Sequence, residues 1–167
     1  MNVINKSNNP LPKYETPGAA GMDLRASFKN VTPLNPIKAF GDVEIVFAGE
    51  SHNKTMIRLS PGSRAIIPTD LYAEIPEGFF GAVYPRSGLA IKEGLSLINS
   101  VGIIDEDYRG MIGIPVINQG FETIWIEDGE RIAQLIIQPY AKVEMNEVNS
   151  LNDSERDSAG FGTTGTK

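Results

Sequence analysis

The stretch GIIDEDYRG at 102–110 sets one carboxylate, Asp105, after a doubly apolar step and closes on a tyrosine, an arginine and a glycine. Core packing asks for no such density of special residues, so the stretch reads as a site. Aspartate competes for backbone hydrogen bonds and glycine costs chain entropy, which makes both poor strand interiors. Set between the apolar runs 96–101 and 111–117, they predict a hairpin that offers backbone donors and acceptors to a ligand. Asp107 is the better candidate for an Asx-turn, which leaves Asp105 for chemistry.

Two further strings have the makings of an anion site. In PRSGLAIKE at 85–93, Ser87 can cap a first helical turn and Gly94 can end it. The helix start would present free amides beside Arg86, a forked cation suited to phosphate oxygens. The alternative is an ordinary capped turn. Near the end, GFGTTG at 160–165 follows Arg156, and its successive amides can form an anion nest. Phe161 there has little core to join, so it suits stacking on a base or sugar, the alternative being a disordered glycine-rich terminus.

The elements that must position these residues read as β. Turn signals recur at Pro61-Gly62, Pro76-Glu77-Gly78, Gly94, Asn118-Gln119-Gly120 and Glu127-Asp128-Gly129. Between them, runs rich in isoleucine and valine at 64–67, 79–84, 111–117, 123–126 and 131–137 predict strands. Alternation at 42–47, a polar loop and the run 56–59 predict a surface hairpin, read as an insertion spanning 33–60. After Pro139 the composition turns polar, so residues 1–145 are expected to form one folded body and 146–167 a linker and mobile arm.

Bulk properties narrow the chemistry. A chain of 167 residues with 41% hydrophobic content suits one domain with its own core. It has no cysteine and a single histidine, His52, in a loop-like stretch that reads as solvated. Disulfides, thiolate zinc sites, thiol nucleophiles and histidine-based triads are thereby set aside. A formal charge of -6 disfavours a general nucleic-acid surface, although a local cluster of cations and amides can still take a small phosphorylated ligand. The first residues lack the apolar core of a secretion signal and no run spans a bilayer, so a soluble cytoplasmic protein without membrane contact is expected.

Five strings occur in fixed order: AGMDLRA at 20–26, PRSGLA at 85–90, GIIDEDYRG at 102–110, GERIAQL at 129–135, and the segment from Arg156 to Gly165. Together the chain resembles the trimeric dUTPase family, whose pattern is five short motifs along a chain of this length. The resemblance implies an all-β, distorted jelly-roll-like barrel with one short helix, a homotrimer, and exchanged C-terminal arms. It implies hydrolysis of dUTP to dUMP and pyrophosphate, with Mg2+ held on the phosphates, which limits uracil in DNA and supplies dUMP for dTMP synthesis.

By the same resemblance, Asp105 orients and deprotonates the attacking water. Tyr108 packs beneath the deoxyribose, and Asn99, Gly102, Ile103, Ile104 and Gly113 lie on the hairpin that reads the uracil edge. Arg86, Ser87 and Gly88 form the phosphate turn, Gln134 lies near the α-phosphate, and Asp23 supports the phosphate and metal region indirectly. Arg156, Phe161, Gly162, Thr163 and Thr164 close over the nucleotide. Asp157 stands where the family commonly has glycine and Thr163 where it commonly has serine, so an extra negative charge sits beside the tail motif. Two other readings stay open: the dCTP deaminase branch of the same fold, and a non-enzymatic regulatory module with a host protein partner if the chain is virus-encoded.

Overall fold

In the computed structural model, which describes residues 1–49, 54–154 and 157–158, the short apolar runs become strands. In chain order these are β1 Asn2–Asn5, β2 Met22–Arg25, β3 Ala39–Phe40, β4 Val43–Val46, β5 Met56–Leu59, β6 Arg64–Pro68, β7 Leu71–Glu74 and β8 Phe79–Pro85. Helix α1 Ser87–Glu93 follows, then β9 Leu95–Leu97, β10 Gly102–Ile104, β11 Gly113–Asn118, β12 Ile124–Glu127 and β13 Arg131–Pro139. The pairings between these strands are antiparallel, which lets one face of each sheet turn to water and the other to the core. One sheet runs β10-β8-β13-β2 and a second β3-β6-β11-β9, with a three-stranded sheet β12-β5-β4 and the pair β1-β7 completing a jelly-roll-like body.

Alternation decides which way each side chain points. In β12, Ile124 and Ile126 are buried while Trp125 and Glu127 face outward; in β11, Ile114 and Val116 are buried between more exposed neighbours. Leu24, Ile57, Leu59, Ile67, Ile112 and Ile132 join them in one continuous core drawn from the sheets. Buried Asn118 is fully bonded: its amide donates to the Leu59 and Glu122 carbonyls at 2.9 and 2.8 Å, and its oxygen accepts the Gly120 N–H at 2.9 Å. Because those partners lie on separate segments, this one side chain stitches the loop after β11 to β5.

Three expectations need correction. Residues 102–110 are not a hairpin: β10 pairs with β8 and β11 with β6 and β9, so the turn after β10 carries the chain from one sheet to another. Aspartate and glycine mark the turn correctly, but partner choice is made by non-local burial. The 33–60 segment does contain a hairpin, β4 on β5, yet β5 also pairs with β12, and Ile57 and Leu59 are fully buried. Its second strand is therefore core rather than an appended surface element. Finally, Ser87 is the first helical residue and not the cap; Arg86 occupies the cap position with extended backbone and no side-chain cap bond. The helix does end at Gly94, whose φ of 76° is the left-handed conformation that favours glycine.

If β5 belongs to the core, Ile57→Ala should lower stability by about 2–5 kcal/mol, the range for truncating a fully buried isoleucine. Urea unfolding of wild type and variant measures it, and a loss of a few tenths of a kcal/mol would mean that the segment is peripheral.

Candidate active site

One end of the β10-β8-β13-β2 sheet collects charge. Register sets Gln134 of β13 between Asp23 of β2 and Tyr84 of β8, and Arg86 follows directly on β8. The Asp23 carboxylate bridges two guanidiniums: Arg86 Nε lies 3.1 Å from Oδ1 and Arg131 Nη1 lies 3.1 Å from Oδ2. Arg86 also donates from Nη1 to the Arg131 carbonyl at 2.9 Å, and the Gln134 amide donates to the Pro85 carbonyl at 3.1 Å. Asp23 is four-fifths buried, with a side-chain exposure of 20%, so solvent screens these contacts less than it would a surface pair. Asp23 thus holds two guanidiniums side by side, and Ser87 and Gly88 lie exposed at the adjoining helix start. Nearby, burial pushes the half-buried Glu130 carboxyl above its usual range, with Glu93 and Glu127 adding to the rise and the Glu127 N–H and Arg86 opposing it.

The turn after β10 carries the second group. Asp105 is exposed, and the Tyr108 N–H closes the turn on the Asp105 carbonyl at 3.2 Å. The Tyr108 hydroxyl donates to the Met111 carbonyl at 3.0 Å, folding the ring back over Gly110. A Cβ at Gly110 would meet that hydroxyl oxygen at 2.3 Å, so only glycine leaves room for the ring. Tyr108 and Gly113 share the wall of a 790 Å³ cleft with Lys6, Lys38, Asp70 and Tyr72. Gly102 is buried beneath Asn99, Ile103 is exposed beside Asp105, and Ile104 is half-buried. Asn99 lies against Gly102, and Gly113 beside Tyr108, with Gly102 and Gly113 on strands of different sheets.

The chain does not bring its two groups together. Ile104 pairs with Gly81, so Asp105 lies next to Phe80, whereas Arg86 lies past the opposite end of β8. Six residues of strand at about 3.3 Å each separate those ends by ~20 Å. The tail candidates Arg156, Phe161, Gly162, Thr163 and Thr164 lie outside the described residues, as does His52.

Two residues that sequence reasoning did not single out matter here. Arg131 shares Asp23 with Arg86; its place inside the GERIAQL string was the available signal. Glu106 accepts the Gly78 N–H at 2.8 Å and pairs with the Lys142 ammonium, which tethers the turn that bears Asp105. Among the described residues, no group of three or more His, Cys, Asp or Glu is placed to hold a metal ion.

Comparison with known proteins gives this arrangement a family. The dUTPase family matches residues 50–165. A deoxyuridine 5'-triphosphate nucleotidohydrolase of Finegoldia magna is 45% identical over 165 residues, covering 99% of this chain and 98% of its own. One from Rhizobium etli is 40% identical over 168 residues, covering 99% and 93%. A solved Staphylococcus bacteriophage 80alpha dUTPase with dUPNHPP superimposes with a TM-score of 0.74 at 26% identity, over 98% of this chain and 97% of that one. The chain is thus an enzyme, a hydrolase on an all-β, jelly-roll-like fold. It belongs to the dUTPase family.

The Lys142 ammonium, then the Gly78 N–H and the Tyr140 hydroxyl, hold the Glu106 carboxyl down at about 2 from a usual 4.5. A depressed carboxylate stabilises the fold in full above its unfolded value and loses that contribution as pH falls toward the folded one. The stability gap between wild type and Glu106→Gln should therefore be present at neutral pH and close between about pH 4.5 and 2. Urea midpoints across that window measure it, and a gap that persists or widens in acid would contradict the pairing.

Proposed function

We propose that the chain hydrolyses dUTP to dUMP and pyrophosphate by in-line attack of water on the α-phosphorus, with Asp105 orienting and deprotonating that water. What carries this reading is an exposed carboxylate on a short turn in a chain 45% identical, nearly end to end, to a deoxyuridine 5'-triphosphate nucleotidohydrolase. Without cysteine, and with its one histidine outside the five motifs, a carboxylate is the natural base, a task that supplies typically ~10²- to 10⁴-fold. Tyr108, folded over Gly110, would lie beneath the deoxyribose and leave no room for a 2'-hydroxyl. Backbone groups of Asn99, Gly102, Ile103, Ile104 and Gly113 would pair with the uracil edge. Cytosine reverses that donor and acceptor pattern, and leaving buried groups unpaired costs on the order of 10⁴-fold in selectivity.

The phosphates would lie on Arg86, Ser87 and Gly88, with Gln134 near the α-phosphate. Asp23 does not serve as a metal ligand in this reading, because both its oxygens already face arginines; it holds Arg86 and Arg131 in place. With no acidic cage among the described residues, Mg2+ fits on the substrate phosphates, where it keeps its waters and neutralises charge on the departing pyrophosphate. The ~20 Å between Asp105 and Arg86 means that a complete site takes its phosphate group and its water-activating group from different copies, which supports the homotrimer. Residues 141–154 are exposed throughout, in keeping with a body ending near 145 and an arm from 146 to 167. Arg156, Phe161, Gly162, Thr163 and Thr164 on that arm would close over the nucleotide and exclude water. No helix among the described residues is long and apolar enough to cross a membrane, and work on a free nucleotide suits the cytoplasm.

The test is turnover of dUTP, dCTP, dTTP and UTP with each product identified, for wild type and Asp105→Asn. Wild type should release pyrophosphate from dUTP alone. Asp105→Asn should lose at least ~10²-fold in kcat while binding a non-hydrolysable dUTP analogue almost as wild type does. Retained turnover removes Asp105 as the base; a deaminated product from dCTP, or silence on all four nucleotides, overturns the hydrolase reading.

A further inference from the structure

Asp105 stands one residue beyond a short ladder. Strand β10 has three residues, lies at the sheet edge and pairs on one side only, with β8. So slight a strand does not by itself hold the following turn within the tolerance that base catalysis asks for. The turn is closed internally by the Tyr108 N–H on the Asp105 carbonyl and by Arg109, which donates to the Glu106 and Tyr108 carbonyls at 2.7 and 3.0 Å. Those contacts make the turn rigid but do not attach it to the body.

Arg109 also reaches Glu74 of β7 in an exposed ion pair at 3.7 Å, which solvent weakens; the firmer attachment comes from Glu106. Its side chain is 20% exposed, in contrast to the exposed Asp105, Asp107 and Tyr108 around it. One oxygen accepts the Gly78 N–H at 2.8 Å from the turn between β7 and β8, and the other pairs with Lys142, just past β13. Gly78 is itself bound to that same segment, its carbonyl accepting the Tyr140 N–H at 3.1 Å. Three chain segments far apart in sequence thus converge on one carboxylate.

We infer that Glu106 is a positioning residue for the reaction: it clamps the turn bearing Asp105 to the β7–β8 turn and to the segment that leads from β13 toward the arm. The inference rests on the assignment of Asp105 as the base. Its chemistry is geometric. Glu106 acts by fixing where the Asp105 carboxylate points. A displacement of about 1 Å in such a group costs on the order of 10²-fold in rate, whereas ground-state binding of dUTP through other residues is left alone. Lys142 is the outer support and contributes less, because Gly78 still holds the carboxylate without it.

Steady-state kinetics on dUTP for wild type, Asp105→Asn, Glu106→Ala, Glu106→Gln and Lys142→Met test this, with thermal denaturation of each in parallel. Glu106→Ala should lower kcat by about 10- to 10²-fold with KM near the wild-type value. Glu106→Gln, whose amide oxygen still accepts from Gly78, should recover most of that loss, and Lys142→Met should lose about three-fold. Should Glu106→Ala fail to fold, Lys142→Met carries the test: its kcat falls while its KM does not, and an unchanged kcat overturns the clamp. Full activity in Glu106→Ala beside an inactive Asp105→Asn overturns the clamp and leaves the base standing. Activity in Asp105→Asn overturns the base instead. A Glu106→Gln variant as slow as Glu106→Ala would also overturn the clamp, since the Gly78 bond would then have no catalytic consequence.

Discussion

The antiparallel ladder of β8 against β10 and β13 is the constraint on which the rest of the site depends. Backbone hydrogen bonds hold the strands in register, and a shift of one residue would turn buried Val83 and Leu135 to the other face of the sheet. Register in turn dictates where chemistry can occur. Arg86 leaves β8 at one end beside Asp23 and Gln134, and Asp105 leaves β10 at the other end beside Phe80. The sheet therefore sets the Arg86 cluster and Asp105 at opposite ends of β8. In the proposed function, a second chain joins them.

The two half-sites are built differently for different tasks. Around Asp23, one carboxylate holds together two guanidiniums that would otherwise repel each other. Around Asp105 the arrangement is reversed: the carboxylate is exposed while neighbouring residues hold the backbone of its turn. Arg109 and Glu106 supply that hold from the two sides of the turn.

Much of the body was legible because turn residues bound short runs rich in isoleucine and valine. The runs at 64–67, 79–84, 123–126 and 131–137 stand as strands within two residues of their expected limits, since glycine and proline bound them. The pairings were not legible. Nothing local to 102–110 says that β10 joins β8 and not β11, and the exposed length of 33–60 hides the burial of Ile57 and Leu59 against β12. Ser87 looked like a helix cap because serine favours that position, yet the chain entering from β8 puts Arg86 there with extended backbone. Arg131 and Glu106 escaped notice for the same reason: their partners Asp23 and Lys142 are 108 and 36 residues away. Residue types announced where chemistry was possible, while the contacts that hold those residues in place appeared only with the fold.

The central claim, that one chain supplies each half of a site completed by another, is tested most directly by mixing two inactive variants. Asp105→Asn chains keep the cationic end and Arg86→Ala chains keep the water-activating turn, and each should be inactive alone. Co-refolded together, they should regain dUTP hydrolysis, because some sites then combine an intact Arg86 from one chain with an intact Asp105 from another. Mixed oligomers, verified by native mass spectrometry, that show no activity beyond that of the separate variants would contradict the account and place the whole site within a single chain.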